Sequence, residues 1–293
     1  MKRKLNGYKI FTFFNYILML AVVIATAYPV YYVVIASISD PGALAKHEGL
    51  LLTSLQPYTL SAYKMVFENK LIVSGFMNTL FVLAVGLLVN LVLTMLGAFF
   101  LSLQGPKLKN IITMMIIFTM YFSGGMVPGY LNIKDLQLMN SLWALIIPMG
   151  INTTNLIIMK SAFQSIPGSL IESARLDGAS YFQVLVKVMV PLSKATIAVM
   201  VLYYGVAHWN AWFSASIYLT DSDLYPLQLV MRNILSSLNT DGQVGGVGAD
   251  EMAQAAELMK YALIVVTTAP IVVIYPFLQK HFVKGVMIGA IKG

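Results

Sequence analysis

Ser165-Ile-Pro-Gly-Ser-Leu-Ile-Glu-Ser-Ala-Arg-Leu-Asp-Gly-Ala-Ser-Tyr-Phe-Gln183, running on to Val190-Pro191, is the stretch on which the reading of the chain turns. Between long uncharged runs it gathers Glu172, Arg175, Asp177, Lys187 and Lys194 into one polar island. Pro167-Gly168 makes a turn. Ser169 and Glu172 then stand at the Ser-x-x-Glu spacing where hydroxyl and carboxylate cap each other's backbone amides, which predicts a helix start. Gly178 suits the left-handed position that closes a helix, and Ser180 with Gln183 repeats the capping box for a second helix that Pro191 interrupts. The island reads as helix, tight turn, helix, and the rest of the chain as its anchor.

That anchor is a membrane. Hydrophobic residues make up 58% of the chain and charged ones 11%, against roughly 45–50% and 25% in soluble domains. Six intervals between successive charges are long: 30 residues after Lys9, 36 after Lys70, 24 after Lys109, 24 after Asp135, 26 after Lys194 and 19 after Lys260. About 20 mostly apolar residues cross the hydrocarbon core as a helix. The chain is therefore expected to be an all-α polytopic membrane protein, one transmembrane domain over 1–293. Its six transmembrane helices are expected near 11–38, 75–103, 110–128, 142–159, 195–217 and 261–278, with 165–191 as a loop between spans.

Basic residues set the orientation. With both ends inside, 13 of the 19 Lys and Arg are cytoplasmic, whereas 10 of the 12 acids lie outside, so the inner side carries +11 and the outer −4. The positive-inside rule thus places both termini and the 165–191 island in the cytoplasm. The basic balance is topological, and nothing in it points to nucleic acid.

Along the chain, Lys2-Arg3-Lys4, an apolar run and Ala25-Thr26-Ala27 imitate a cleavable leader, but the apolar run continues to Ile35, which favours an uncleaved first span. Asp40 to Lys70 is a polar outer segment with a short helix expected around 61–67. The second span carries Asn78, Asn90 and Thr94. Such groups either bond neighbouring helices or face a watery path. Ser123-Gly-Gly-Met-Val-Pro-Gly129 is expected to break or kink the third span. The fourth holds Pro148, Asn152 and Asn155, and the fifth holds Tyr203, Tyr204, His208, Trp209, Asn210 and Trp212. Rings with polar partners fit an interfacial belt, and they also fit a wall on which sugar faces stack. Asn152, Asn155, Tyr204, His208, Trp209, Asn210 and Trp212 are the candidate translocation path. Between Asp221 and Lys260 lies a glycine-rich outer segment, expected to lack structure of its own, in which Asn239, Asp241, Gly242 and Gly245 are candidates for contact with an outer partner.

Several chemistries find no support. There is no cysteine, and no Gly-x-x-x-x-Gly-Lys-Ser/Thr phosphate loop. His47, His208 and His281 fall on an outer loop, a span and the inner tail, and Asp221-Ser-Asp223 reads as a solvated turn, so no metal site is expected. No nucleophile and base stand together, so the chain is not expected to be an enzyme.

Glu172-Ser173-Ala174, three residues, Gly178, nine residues and Val188-Met189-Val190-Pro191 resemble the EAA signature of ABC importer permeases, with Ser173 departing from alanine. Gln279-Lys-His-Phe-Val-Lys-Gly-Val-Met-Ile-Gly-Ala-Ile-Lys-Gly293 is similar to the tail of maltose-type carbohydrate permeases, on the smaller six-span partner. Phe122-Ser-Gly-Gly-Met-Val-Pro128, Asn140-Ser-Leu-Trp-Ala-Leu-Ile-Ile-Pro148 and Asn155-Leu-Ile-Ile-Met-Lys160 resemble a branch serving oligosaccharides from pectin, xylan or alginate. The resemblance implies a type I ABC importer permease in a bacterial inner membrane, with a cytoplasmic coupling helix and membrane lipid around it. It implies a second permease as heterodimer partner, an ABC ATPase dimer that holds ATP and Mg, and a periplasmic or extracellular solute-binding protein. This chain itself would hold no cofactor. Glu172, Ser173, Ala174, Asp177, Gly178 and Pro191 would couple to one ATPase, and Lys280, His281, Lys284 and Gly285 would lie along the ATPase pair. The rival readings are a permease for another solute class, and a channel or secondary transporter that needs no ATPase.

Overall fold

A computed structural model describes residues 2–103, 105, 108–241 and 249–290, with backbone alone for 2–6, 239–241, 249–253, 255, 275 and 277–290. The described residues are helices joined by turns, with no strand among them. Three helices are long and apolar enough to cross a membrane, Gly7–Ala36, Lys70–Ser102 and Ala256–Ile274, and the number rises to five if two sharply bent pairs each count as one span. This is a multi-pass all-α membrane protein. The six intervals do not all appear as single helices. The fourth is divided into Trp143–Ile146 and Thr153–Gln164. Pro148 has no N–H to continue the first piece, and Asn152 caps the second by accepting from the Asn155 N–H at 3.0 Å.

The chain forms two compact units. Met1–Asn69 with Asn233–Thr268 make the first. Helix α1 (Lys2–Ala36) carries Ala25-Thr26-Ala27 within continuous helix. Its apolar side chains from Tyr8 to Ile24 are largely exposed. The outer segment after it is tied by side chains: the Leu51 N–H donates to the Tyr28 hydroxyl at 2.9 Å, and the hydroxyls of Ser37 and Tyr63 lie 2.7 Å apart. Helix α2 (Ser61–Glu68) is where the sequence predicts one.

Lys70–Arg232 with Ala269–Gly293 make the second unit, which holds the 165–191 loop. Helix α3 (Lys70–Ser102) is apolar all round, so hydrophobicity alone cannot say which side packs. Small and polar residues say it instead. Gly75, Thr79, Val82, Gly86, Asn90, Thr94 and Ala98 are the buried stripe, spaced three or four apart, and small side chains let helices approach closely in lipid. Helix α4 (Lys109–Tyr121) stops at the predicted glycine break, where Gly125 has φ +90°, and α5 (Met126–Asp135) leaves it at 117°. There follow α6 (Trp143–Ile146), α7 (Thr153–Gln164), α8 (Gly168–Leu176), α9 (Tyr181–Leu192), α10 (Lys194–Trp209) and α11 (Trp212–Tyr218). The fifth interval thus breaks at Asn210-Ala211.

Two apolar cores result. The first joins Phe99 and Leu101 of α3, Met159 and Phe163 of α7, and Val184, Leu185 and Met189 of α9. The second joins Val82, Leu145, Ile146, Ala215, Leu219 and Leu229. The described residues of the 221–260 segment, expected to lack structure, are mostly helical, as α12 (Leu227–Asp241) and the start of α13 (Ala249–Ala290). The missed signal was Leu227, Val230, Ile234 and Leu238, an apolar repeat at helical spacing hidden beside the glycines.

Candidate functional site

The inner loop is a helix pair closed by local bonds. Helix α8 begins one residue before Ser169: Pro167 is its N-cap, with no side-chain cap bond. The Ser169–Glu172 capping box therefore does not form, because Pro167-Gly168 has already turned the chain into the helix. The second box does form. The Gln183 N–H donates to Ser180 Oγ at 3.3 Å and the Ser180 N–H to Gln183 Oε1 at 2.8 Å. Between the helices, Gly178 has φ +84°, its N–H donates to the Arg175 carbonyl at 3.1 Å, and the Ala179 N–H donates to the Ala174 carbonyl at 3.0 Å. These two bonds are the Schellman closure of a helix C-terminus. The Arg175 guanidinium lies 4.2 Å over the Tyr181 ring and donates to the Ala179 carbonyl, stapling the turn from outside.

The two halves of this pair differ mechanically. Val184, Leu185 and Met189 sink α9 into the first core, whereas α8 buries no residue and exposes Glu172, Ser173, Arg175 and Asp177. Leu176 projects with 88% of its surface free. Pro191 stands in the last turn of α9, where the sequence expects the helix to be interrupted. The backbone widens into a π turn at Leu185–Met189 and the helix runs one residue past the proline. After Ser193 the chain turns through 85° into α10. An exposed helix is thus braced against the spans by its neighbour.

The candidate path residues separate in space. Asn152, Asn155 and Tyr204 line one cavity of about 290 Å³ with Pro148, Ile151 and Tyr203, at the break of the fourth interval. His208 stands behind that wall, 2% exposed, with Nε2 2.7 Å from Asn90 Oδ1. Trp209 faces elsewhere, lining an apolar groove of about 210 Å³ with Leu83, Gly205 and Pro270. Asn210 closes α10 by donating to the Val206 carbonyl at 3.0 Å, and Trp212 lies on α11 beneath the Arg232 guanidinium at 4.1 Å. Sequence reasoning did not pair α3 with α10. Asn90 and Thr94, four apart, meet His208 and Tyr204, also four apart, and that matched spacing was the available signal.

Lys280, His281, Lys284 and Gly285 lie on the backbone of α13, and their side chains are outside the described residues. Asn239 and Asp241 likewise lie on the backbone of α12, and Gly242 and Gly245 are outside the described residues altogether. Among the described residues no group of three His, Asp or Glu side chains is placed to hold a metal ion.

The geometry is that of a multi-pass helical protein in which an exposed helix is braced by a buried neighbour. Residues 94–288 match the family described as binding-protein-dependent transport system inner membrane component, and the chain belongs to that family. It is the membrane permease of an ABC-type import system, and ATP hydrolysis belongs to another subunit. Among relatives it is 38% identical to Protein LplC of Bacillus subtilis, over 97% of this chain and 96% of that protein. It is 36% identical to the polygalacturonan/rhamnogalacturonan transport system permease protein YtcP of the same organism, over 96% of each chain. Among solved structures, a chain of a bacterial ABC transporter involved in import of the acidic polysaccharide alginate superposes with TM-score 0.86 at 30% identity, covering 94% of this chain and 98% of that one.

Proposed function

We propose that this chain is a six-span permease subunit with both termini in the cytoplasm, which pairs with a second permease and passes oligosaccharides cut from a polysaccharide. A solute-binding protein delivers the cargo outside and an ABC ATPase dimer drives the cycle from inside. The observation that carries this reading is the shape of the inner loop. Helix α8 offers Glu172, Ser173 and Asp177 to solvent while α9 is locked into the core, so a push on α8 is passed to α3, α7 and α10 and not absorbed by a loose loop. Ala174, Gly178 and Pro191 give the pair its shape, and the α13 tail with Lys280, His281, Lys284 and Gly285 lies along the ATPase. Asn239, Asp241, Gly242 and Gly245 belong to the face that meets the binding protein. The fourth span crosses as a broken helix, and the cavity at its break is this chain's share of the path.

The cargo class rests on the relatives, since one is named for polygalacturonan and rhamnogalacturonan and a chain of similar fold serves alginate import. The test is reconstitution of the full complex in proteoliposomes with its binding protein, loaded with oligogalacturonides, alginate fragments or neutral arabino-oligosaccharides. Uptake of at least one oligosaccharide, dependent on ATP inside and abolished by a catalytically dead ATPase, is expected. Uptake without the ATPase, or of no oligosaccharide, overturns the reading.

A further inference from the structure

The cavity wall depends on a break in a transmembrane helix, and a break in lipid needs its backbone groups satisfied from elsewhere. Four side chains on two other helices do this. The Asn90 side-chain amide donates to the Met149 carbonyl at 2.5 Å and to the Gly150 carbonyl at 3.1 Å. With its Nδ2 so used, Asn90 presents Oδ1 to His208, which places the imidazole proton on Nε2. One turn further along, the Tyr204 hydroxyl accepts the Asn152 N–H at 2.9 Å and lies 2.7 Å from the Thr94 hydroxyl. Asn90, Thr94, Tyr204 and His208 are each at most 2% exposed. Gly86 makes the approach possible: a β-carbon there would fall 2.5 Å from His208 Nε2.

We propose that Asn90 and Tyr204, backed by His208 and Thr94, are positioning residues for cargo. They hold the 147–152 turn open so that Ile151, Asn152 and Tyr203 form the wall along which the sugar passes. The inference rests on the cavity being part of the path. Its own content is that a polar ladder between α3 and α10 sets the shape of a third helix. The Asn90 and Tyr204 bonds reach backbone that the fourth span, once broken, cannot satisfy itself, and His208 and Thr94 hold those two side chains in place.

The absence of cysteine gives a clean background for the test. In the assembled transporter, Ile151→Cys is labelled with a hydrophilic thiol reagent, and Tyr58→Cys on the outer segment serves as the control. Tyr204→Phe removes only a hydroxyl, and Asn90→Asp keeps the acceptor for His208 but loses the donor to both carbonyls. Each is expected to change the labelling rate at 151 at least threefold without changing it at 58, and to lower uptake about tenfold. Thr94→Ser is expected to restore near-normal labelling where Thr94→Val does not. If Asn90→Asp and Tyr204→Phe label and transport as the parent does, the proposal is overturned. The path reading fails separately: if modified Ile151→Cys and Tyr203→Ala both transport normally, the cavity is not on the route, even where the ladder variants still alter the turn.

Discussion

The inner helix pair and the broken fourth span are both interruptions in a membrane protein, and they are stabilised in opposite ways. The inner pair closes on itself: every bond across its turn joins residues within six positions, from Ala174 to Ala179 and from Ser180 to Gln183. The fourth-span break is closed from a distance, by Asn90 some 60 positions before Gly150 and by Tyr204 some 52 after Asn152. A turn that meets water and partners can be built from local parts. One inside the spans has no water to fall back on and borrows donors from neighbouring helices. The first therefore has its turn set by its own residues while α9 is anchored in the core, and the second takes even its turn bonds from other helices.

The largest effect is expected where that borrowing is crowded. In Gly86→Val the new side chain drives His208 away and frees Asn90. Overpacking costs about 1–3 kcal/mol, and each buried group left unpaired costs about 1–3 kcal/mol more. The purified subunit complex should lose several degrees or more of thermal stability, and uptake should fall with it. A parent-like melting temperature for Gly86→Val breaks the comparison, since it means the ladder is not tightly held.

Gly178→Ala comes next. A β-carbon at φ +84° costs about 1–2 kcal/mol through backbone strain alone, with nothing within 4 Å to clash. Because the strain is local, the spans should melt as before while α8 is misdirected. ATPase copurification and uptake are expected to fall together and thermal stability to change little. A smaller loss is expected from Arg175→Ala, which removes a guanidinium–ring contact worth about 0.5–1 kcal/mol at an exposed site. Here Arg175→Lys should recover part of the coupling, measured as binding-protein-stimulated ATP hydrolysis.

The same contrast explains what could be read from sequence. The inner pair was legible because its determinants are neighbours: Gly178 as a left-handed stop and Ser180 with Gln183 as a cap both stand where expected. The Ser123–Gly129 break was legible for that reason too. Ser169 with Glu172 failed as a cap because Pro167-Gly168 competed for the same helix start, and spacing alone does not rank the two. The apolar spans hid their packed faces, since lipid-facing and core-facing residues are both apolar. The seven path candidates, asparagines, aromatic residues and a histidine of two spans, divide among a polar cavity, the wall behind it, an apolar groove, a helix end and an arginine contact. The helical content of 227–241 was masked by the glycines that follow it.

The smallest effect on the protein's own stability is expected at Glu172, and it separates shape from contact. Were Glu172 a capping residue, Glu172→Ala would fray α8 and Glu172→Gln would largely preserve it. The helix instead starts at Gly168 without a side-chain cap, and Glu172 is exposed one turn inside. Neither substitution removes a buried contact, so each should change unfolding by less than about 0.5 kcal/mol. The charge is then free to meet the ATPase. Both Glu172→Ala and Glu172→Gln should weaken ATPase assembly and uptake to a similar degree, since both remove the same charge. If glutamine restores what alanine loses, the residue serves its own helix. If both retain full assembly and coupled transport, Glu172 makes no contact that matters, and the partner is gripped by the exposed Leu176 and the shape around Gly178 instead.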